Sequence, residues 1–124
     1  MKEIYQKALE AIGSKTDLVP QVGIILGSGL GGLAQRIENA VVIPYAEIPG
    51  MKASTAPGHA GQFVLGTIGN KTVICMQGRL HFYEGHTMQE IAFPVRLMKL
   101  LGIKTLVVTN ACGAVNTSFS IGDL

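Results

Sequence analysis

Two short stretches of this chain gather the residue types that hold an anion. Gly27-Ser28-Gly29-Leu30-Gly31-Gly32 places four glycines in six residues. With no side chains in the way, the backbone N–H groups of such a turn can point at an anion, and Ser28 adds a hydroxyl donor. Arg79-Leu80-His81-Phe82-Tyr83-Glu84 places four functional side chains in six residues. A guanidinium gives fork-shaped, charge-assisted bonds to a phosphate. A neighbouring histidine adds a hydrogen bond, and Glu84 can hold that ring in orientation. In extended backbone Arg79, His81 and Tyr83 point to one side, so an anion and an attached sugar could both touch it. Each stretch also has a plainer reading: a tight strand-to-helix turn for the first, a solvated loop with an ordinary ion pair for the second. His59 lies in Pro57-Gly58-His59-Ala60-Gly61, a setting from which it can reach a site or be incidental. His86 reads as a surface residue.

Other chemistries fit less well. The glycine stretch matches a dinucleotide fingerprint literally at Gly27, Gly29 and Gly32, with Glu47 where an acidic ribose ligand is sought. The helical stretch after it is too short for a crossover helix, and Glu47 follows Pro44 in a poor strand. No Gly-Lys-Ser/Thr follows, so it is not a Walker A loop. Leu26 stands where a nucleophile elbow needs glycine, which makes Ser28 a ligand donor rather than a nucleophile. His81 and His86 are not at helical i, i+4 spacing and no His-Glu-x-x-His occurs, which argues against zinc. Cys75 and Cys112 form no Cys-x-x-Cys pair. They read as reduced thiols of a cytoplasmic protein.

The elements that must position these residues follow from periodicity. Ile4, Tyr5, Ala8, Leu9 and Ile12 share a helical face that Gly13 ends. Val22 to Leu26 is a continuous apolar run, as in a strand covered on both faces. A short helical stretch is expected near Leu33 to Ile37. Val41 to Tyr45 is a strand that Pro44 confines to an edge or a short length. Phe63–Ile68 and Thr72–Met76 flank Gly69-Asn70, a hairpin signal. Gln77 to Gly85 reads as a loop. Thr87 and Glu90 form a capping box that opens a helix reaching Gly102, with Pro94 inside. Thr105 to Thr109 is a third buried-type strand, followed by the tight loop Asn110-Ala111-Cys112-Gly113-Ala114. This order predicts an α/β protein with a mixed sheet.

Composition sets the bounds. Glycine supplies 16 of 124 residues, close to double the usual share of about 7%. Apolar residues make up 48% and charged residues 15%, with a mean hydropathy of +0.37. That excludes intrinsic disorder, and the unperiodic glycines exclude collagen. Ten Lys+Arg against eight Asp+Glu leave +2, too little to argue for nucleic acid as a partner. No run approaches the ~20 apolar residues of a membrane span, and Met1 to Gly13 lacks the apolar core of a signal peptide. So apolar a chain is expected to bury some of its surface against something outside it. Its last residues, Ile121-Gly122-Asp123-Leu124, read like a cut through a domain.

Taken together, the motifs resemble the trimeric purine nucleoside phosphorylase family. They are Gly27–Gly32, Ser54–Gly61, Met76–Gly85, Phe93-Pro94-Val95-Arg96 and Val108–Gly113, in order from about Pro20 to Leu124. The resemblance implies a mixed, partly barrel-like sheet flanked by helices, with residues 1–124 as the N-terminal portion of one domain, incomplete at its C-terminus. It implies reversible phosphorolysis of purine nucleosides to free base and pentose 1-phosphate, in purine salvage, by a cytoplasmic homotrimer. Inorganic phosphate is the co-substrate; no cofactor or metal is implied. The phosphate ligands carried over are Ser28, His59, Arg79, His81 and the backbone of Ala111, with the backbone at Leu80 in the same segment. Tyr83 matches a sugar contact, Glu84 a support for the phosphate-binding histidine, and Gly27, Gly29 and Asn110 the surrounding frame. Leu80 stands where the family has an aromatic, and Cys112 where it has alanine. The cysteine leaves a methylthioadenosine phosphorylase in competition, and the length leaves open a phosphate-binding fragment without turnover. The base-recognising residues lie in a part of the family's chain that has no counterpart here.

Overall fold

In the computed structural model of the chain, the described residues are 2–53 and 61–124. They form helices α1 (Glu3–Gly13) and α2 (Met88–Leu101) and strands β1 (Val22–Ile25), β2 (Glu38–Pro44), β3 (Gln62–Ile68), β4 (Lys71–Gln77) and β5 (Thr105–Val108). The strands make one mixed sheet in the order β2-β3-β4-β1-β5. β2, β3 and β4 are antiparallel neighbours, whereas β1 runs parallel to both β4 and β5. The mixed α/β sheet expected from the sequence is therefore present. β3 and β4 meet across Gly69-Asn70, with Ile68 opposite Lys71. Pro44 ends β2 at the sheet edge, where its missing N–H leaves no ladder bond unmade.

The continuous apolar runs are explained by two cores, one on each sheet face. Successive strand residues point to opposite faces. Phe63, Leu65, Ile74 and Met76 join Ala8 and Ile12 of α1 and Phe93, Leu97 and Met98 of α2. Val64, Val73 and Cys75 join Ile24, Leu26, Ala34 and Ile37 on the other side. The Tyr5 and Phe93 rings stack at 4.7 Å, locking α1 to α2. The short helical stretch is a 3-10 turn, Gly31–Arg36, and Ala34 is its buried residue. Glycine 13 is the last residue of α1 rather than the one past it.

The capping box is intact. Thr87 Oγ1 accepts from the Glu90 N–H at 3.2 Å, and Glu90 Oε2 accepts from the Thr87 N–H at 2.8 Å. Pro94 lies buried within α2 without ending it. β5 departs from expectation. The sequence reads it as covered on both faces, but all four of its residues are exposed. It is an edge strand whose strand partner among the described residues is β1. No helix of the described residues is long and apolar enough to cross a membrane.

Leu97 is fully buried where α2 meets the sheet. Leu97→Ala is expected to cost about 2–5 kcal/mol of unfolding free energy through the cavity it leaves. Urea denaturation followed by circular dichroism measures this.

Candidate functional site

The three parallel strands decide where the chemistry gathers. β1 lies between β4 and β5 and all three run the same way, so their carboxyl ends share one edge of the sheet. Past those ends come Gly27-Ser28-Gly29, Gly78 to Glu84, and Thr109 to Ala114. That edge is where open α/β sheets take ligands. The glycine turn and the Arg79–Glu84 stretch, distant in the chain, together with the loop after β5, thus become neighbours through strand order alone.

Thr109 fastens them. Its hydroxyl accepts from the Gly27 N–H at 2.9 Å and donates to the Ile25 carbonyl at 2.8 Å. Its own N–H donates to the same carbonyl at 3.0 Å. An Arg79 Nη2–H donates to its carbonyl oxygen. One residue therefore holds the glycine turn, the guanidinium and the loop after β5. The approach is so close that a Cβ on Gly27 would lie 2.7 Å from the Thr109 carbonyl oxygen and 2.8 Å from Asn110 Cα. Gly27 is required by that contact. Gly29 is required by its turn, which the Leu30 N–H closes onto the Gly27 carbonyl at 3.1 Å. Its φ is +81°, as at the third position of a type II turn. Ser28, between them, is exposed.

Further bonds align the Arg79 segment. The Tyr45 hydroxyl donates to the Gly78 carbonyl at 2.6 Å. Burial pushes that phenol well above its ordinary range, so it remains a donor. Gln62 Nε2 donates to Gln77 Oε1 at 2.8 Å, and Gln77 Nε2 donates to the Gly31 carbonyl at 3.3 Å. Arg79 Nε is buried and has no hydrogen-bond partner among the described residues.

Glu84 orients His81, as the sequence suggested. His81 Nδ1 is 2.5 Å from Glu84 Oε1, which also accepts from the His81 N–H at 3.1 Å. The ring's hydrogen bond holds the Glu84 carboxyl below the usual carboxylate range, against an opposing effect of desolvation. An ionised carboxylate only accepts, so the hydrogen belongs on Nδ1 and Nε2 is left for another partner. When the ring is charged, that nitrogen is a donor for an anion.

The remaining expectations fare differently. Tyr83 does not share a side with Arg79 and His81 by extended alternation, because the chain turns into a 3-10 turn at Phe82–Glu84. It reaches His81 by stacking instead, with ring centroids 4.7 Å apart and planes 22° apart. Leu80 is buried, so only its backbone is available to a ligand. Asn110 and Ala111 are exposed in the loop after β5. His59 lies outside the described residues. His86 is not a surface residue: its side chain is 11% exposed and lies 3.8 Å from both Glu84 and Glu90, because the turn before α2 folds it inward. Cys75 is buried, which pushes its thiol up to about 11, whereas Cys112 is exposed beside Ala111. Among the described residues no three His, Cys, Asp or Glu side chains are grouped to hold a metal ion.

The model of the phosphorylase superfamily matches residues 21–124. The chain belongs to the phosphorylase superfamily. Within it, the chain is 53% identical over 124 residues to purine nucleoside phosphorylase 1 of Bacillus subtilis, covering all of this chain and 46% of that protein. It is 52% identical over 119 residues to purine nucleoside phosphorylase 1 of Geobacillus stearothermophilus, covering 96% of this chain and 43% of the other. The solved structure of isoform 2 of purine nucleoside phosphorylase from Schistosoma mansoni, in complex with cytosine and ribose-1-phosphate, superposes with a TM-score of 0.91. It is 46% identical and covers 98% of this chain and 42% of its own. This superfamily chain thus spans less than half the length of the relatives it matches.

Thr109 and the two glutamines escaped sequence reasoning, since nothing local distinguishes them. The one available signal was a threonine at the mouth of a buried-type strand followed by a small-residue loop. Thr109→Val keeps the shape but leaves the Gly27 N–H and the Ile25 carbonyl without the hydroxyl. The expected destabilisation is about 1–3 kcal/mol, measured by chemical denaturation, and Thr109→Ser should recover most of it.

Proposed function

We propose that this chain is the phosphate-holding part of a purine nucleoside phosphorylase. In this reading the enzyme catalyses reversible phosphorolysis of the N-glycosidic bond, giving free purine and pentose 1-phosphate. Phosphate attacks the anomeric carbon of the sugar, and the electron pair of the broken bond leaves with the purine. Positive charge grows on the sugar and negative charge on the base. Ser28, Arg79, His81 and the Ala111 N–H hold the phosphate dianion beside the sugar, with His59 as a further ligand. Positioning and electrostatics then carry the rate. Tyr83 contacts the sugar, Glu84 supports His81, and Gly27, Gly29 and Asn110 shape the backbone around the anion.

The observation that carries this reading is the convergence of Ser28, Arg79, the Glu84-oriented His81 and the loop at Ala111 on one sheet edge. The names of the relatives favour the nucleoside branch over a methylthioadenosine phosphorylase. Residues 1–124 are then the N-terminal portion of one domain in a cytoplasmic homotrimer that works in purine salvage. Exposed apolar residues support a larger whole: Leu106, Val107, Val108, Val115, Phe119 and Ile121 all face solvent.

Inosine and phosphate given to the full gene product should release hypoxanthine, followed by absorbance; no base from any purine nucleoside would refute the reading. The 124-residue chain alone, assayed beside it, tells whether this part turns over by itself. Arg79→Ala should raise the phosphate KM roughly 10- to 100-fold and lower turnover, as loss of a charge-assisted contact does. Unchanged phosphate kinetics would remove Arg79 from the site.

A further inference from the structure

His86 is not among the candidate phosphate ligands, yet it lies against the carboxylate that orients one of them. Its side chain is 11% exposed, with Nε2 3.8 Å from Glu84 Oε2 and Nδ1 3.8 Å from Glu90 Oε2. Both carboxylates divide their oxygens. Glu84 gives Oε1 to His81, which leaves Oε2 facing His86. Glu90 gives Oε2 to the Thr87 N–H, and its Oε1 meets Lys52 Nζ at 3.4 Å. Basic side chains and carboxylates therefore alternate along His81, Glu84, His86, Glu90 and Lys52. His86 Nε2 is buried and has no hydrogen-bond partner among the described residues. Only an imidazolium donates from both nitrogens; a neutral ring turns a lone pair toward one of its two carboxylates.

We propose that His86 is a positioning residue: seated between Glu84 and Glu90, it restrains the Glu84 carboxylate and, through it, the His81 ring. The charged groups that face it are Glu84, from the turn before it, and Glu90, from α2. His81 and Lys52 stand one step further along the same line. The effect on turnover rests on the phosphorylase reading; the coupling between the two histidines does not. Without the contact between His86 and Glu84 the His81 ring loses one of its restraints, and phosphate binding weakens.

The test uses the full gene product with His86→Phe and His86→Gln, each checked for a cooperative melt. Phosphate KM and kcat are measured, and the His81 ring nitrogens are followed by ¹⁵N resonance. His86→Phe should raise the phosphate KM roughly 2- to 5-fold, as loss of an ion-pair contact does. Its kcat should stay within about twofold. His86→Gln, which keeps an N–H donor, should lie between the two. If His86→Phe does not fold, the glutamine variant carries the test. The His81 ring resonances should shift in either variant. KM values and His81 spectra that superimpose on wild type would overturn the proposal. Absence of base release by the wild type would refute the phosphorylase reading alone, and the His81 spectrum would then decide the role of His86.

Discussion

The contact of Thr109 with the Gly27 N–H holds the candidate site together. It spans 82 residues of sequence, and it works because β1 and β5 run parallel and adjacent. The same residue's carbonyl receives Arg79, which arrives from β4 on the other side of β1. A single residue, through its hydroxyl and its carbonyl, thus ties three loops together. The tolerance is small, since the Gly27 backbone approaches Asn110 so closely that a Cβ does not fit. The two sheet cores serve this contact by fixing the strand ends from which the loops depart.

Electrostatic order is built outward from it. Arg79 is anchored through one nitrogen, while its buried Nε has no hydrogen-bond partner among the described residues. His81 is held by a carboxylate that stays ionised, and that carboxylate is itself faced by His86. Tyr45 and Gln77 supply uncharged bonds that hold the backbone between these groups. A fixed arrangement of donors costs no reorganisation when a charged ligand arrives, which is the general advantage of a preorganised site.

Much of this was legible in the sequence where the signal is local. The glycine turn, the Arg79–Glu84 stretch and the capping box each lie within six residues, and side-chain chemistry at that range is fixed by spacing. The His81–Glu84 pair is an i, i+3 contact of this kind. The hairpin and both helices were legible for the same reason. What lay beyond reach depends on strand order. Thr109 looks like any strand-end threonine until β5 is placed beside β1. His86 looks like a loop histidine until α2 brings Glu90 over it. β5 reads as buried because Leu106, Val107 and Val108 are apolar, whereas its place at the sheet edge leaves them exposed. Tyr83 was paired with His81 correctly but through the wrong geometry, since a 3-10 turn replaced the extended backbone.

The central claim is that strand order and the Thr109 contact assemble one anion site from three loops. A crystal structure of the full gene product bound to ribose 1-phosphate tests it directly. The account predicts phosphate oxygens within about 3.2 Å of an Arg79 guanidinium nitrogen, Ser28 Oγ and the Ala111 N–H, with the Thr109–Gly27 bond intact. A phosphate group held elsewhere, with none of these three groups in contact, would contradict it.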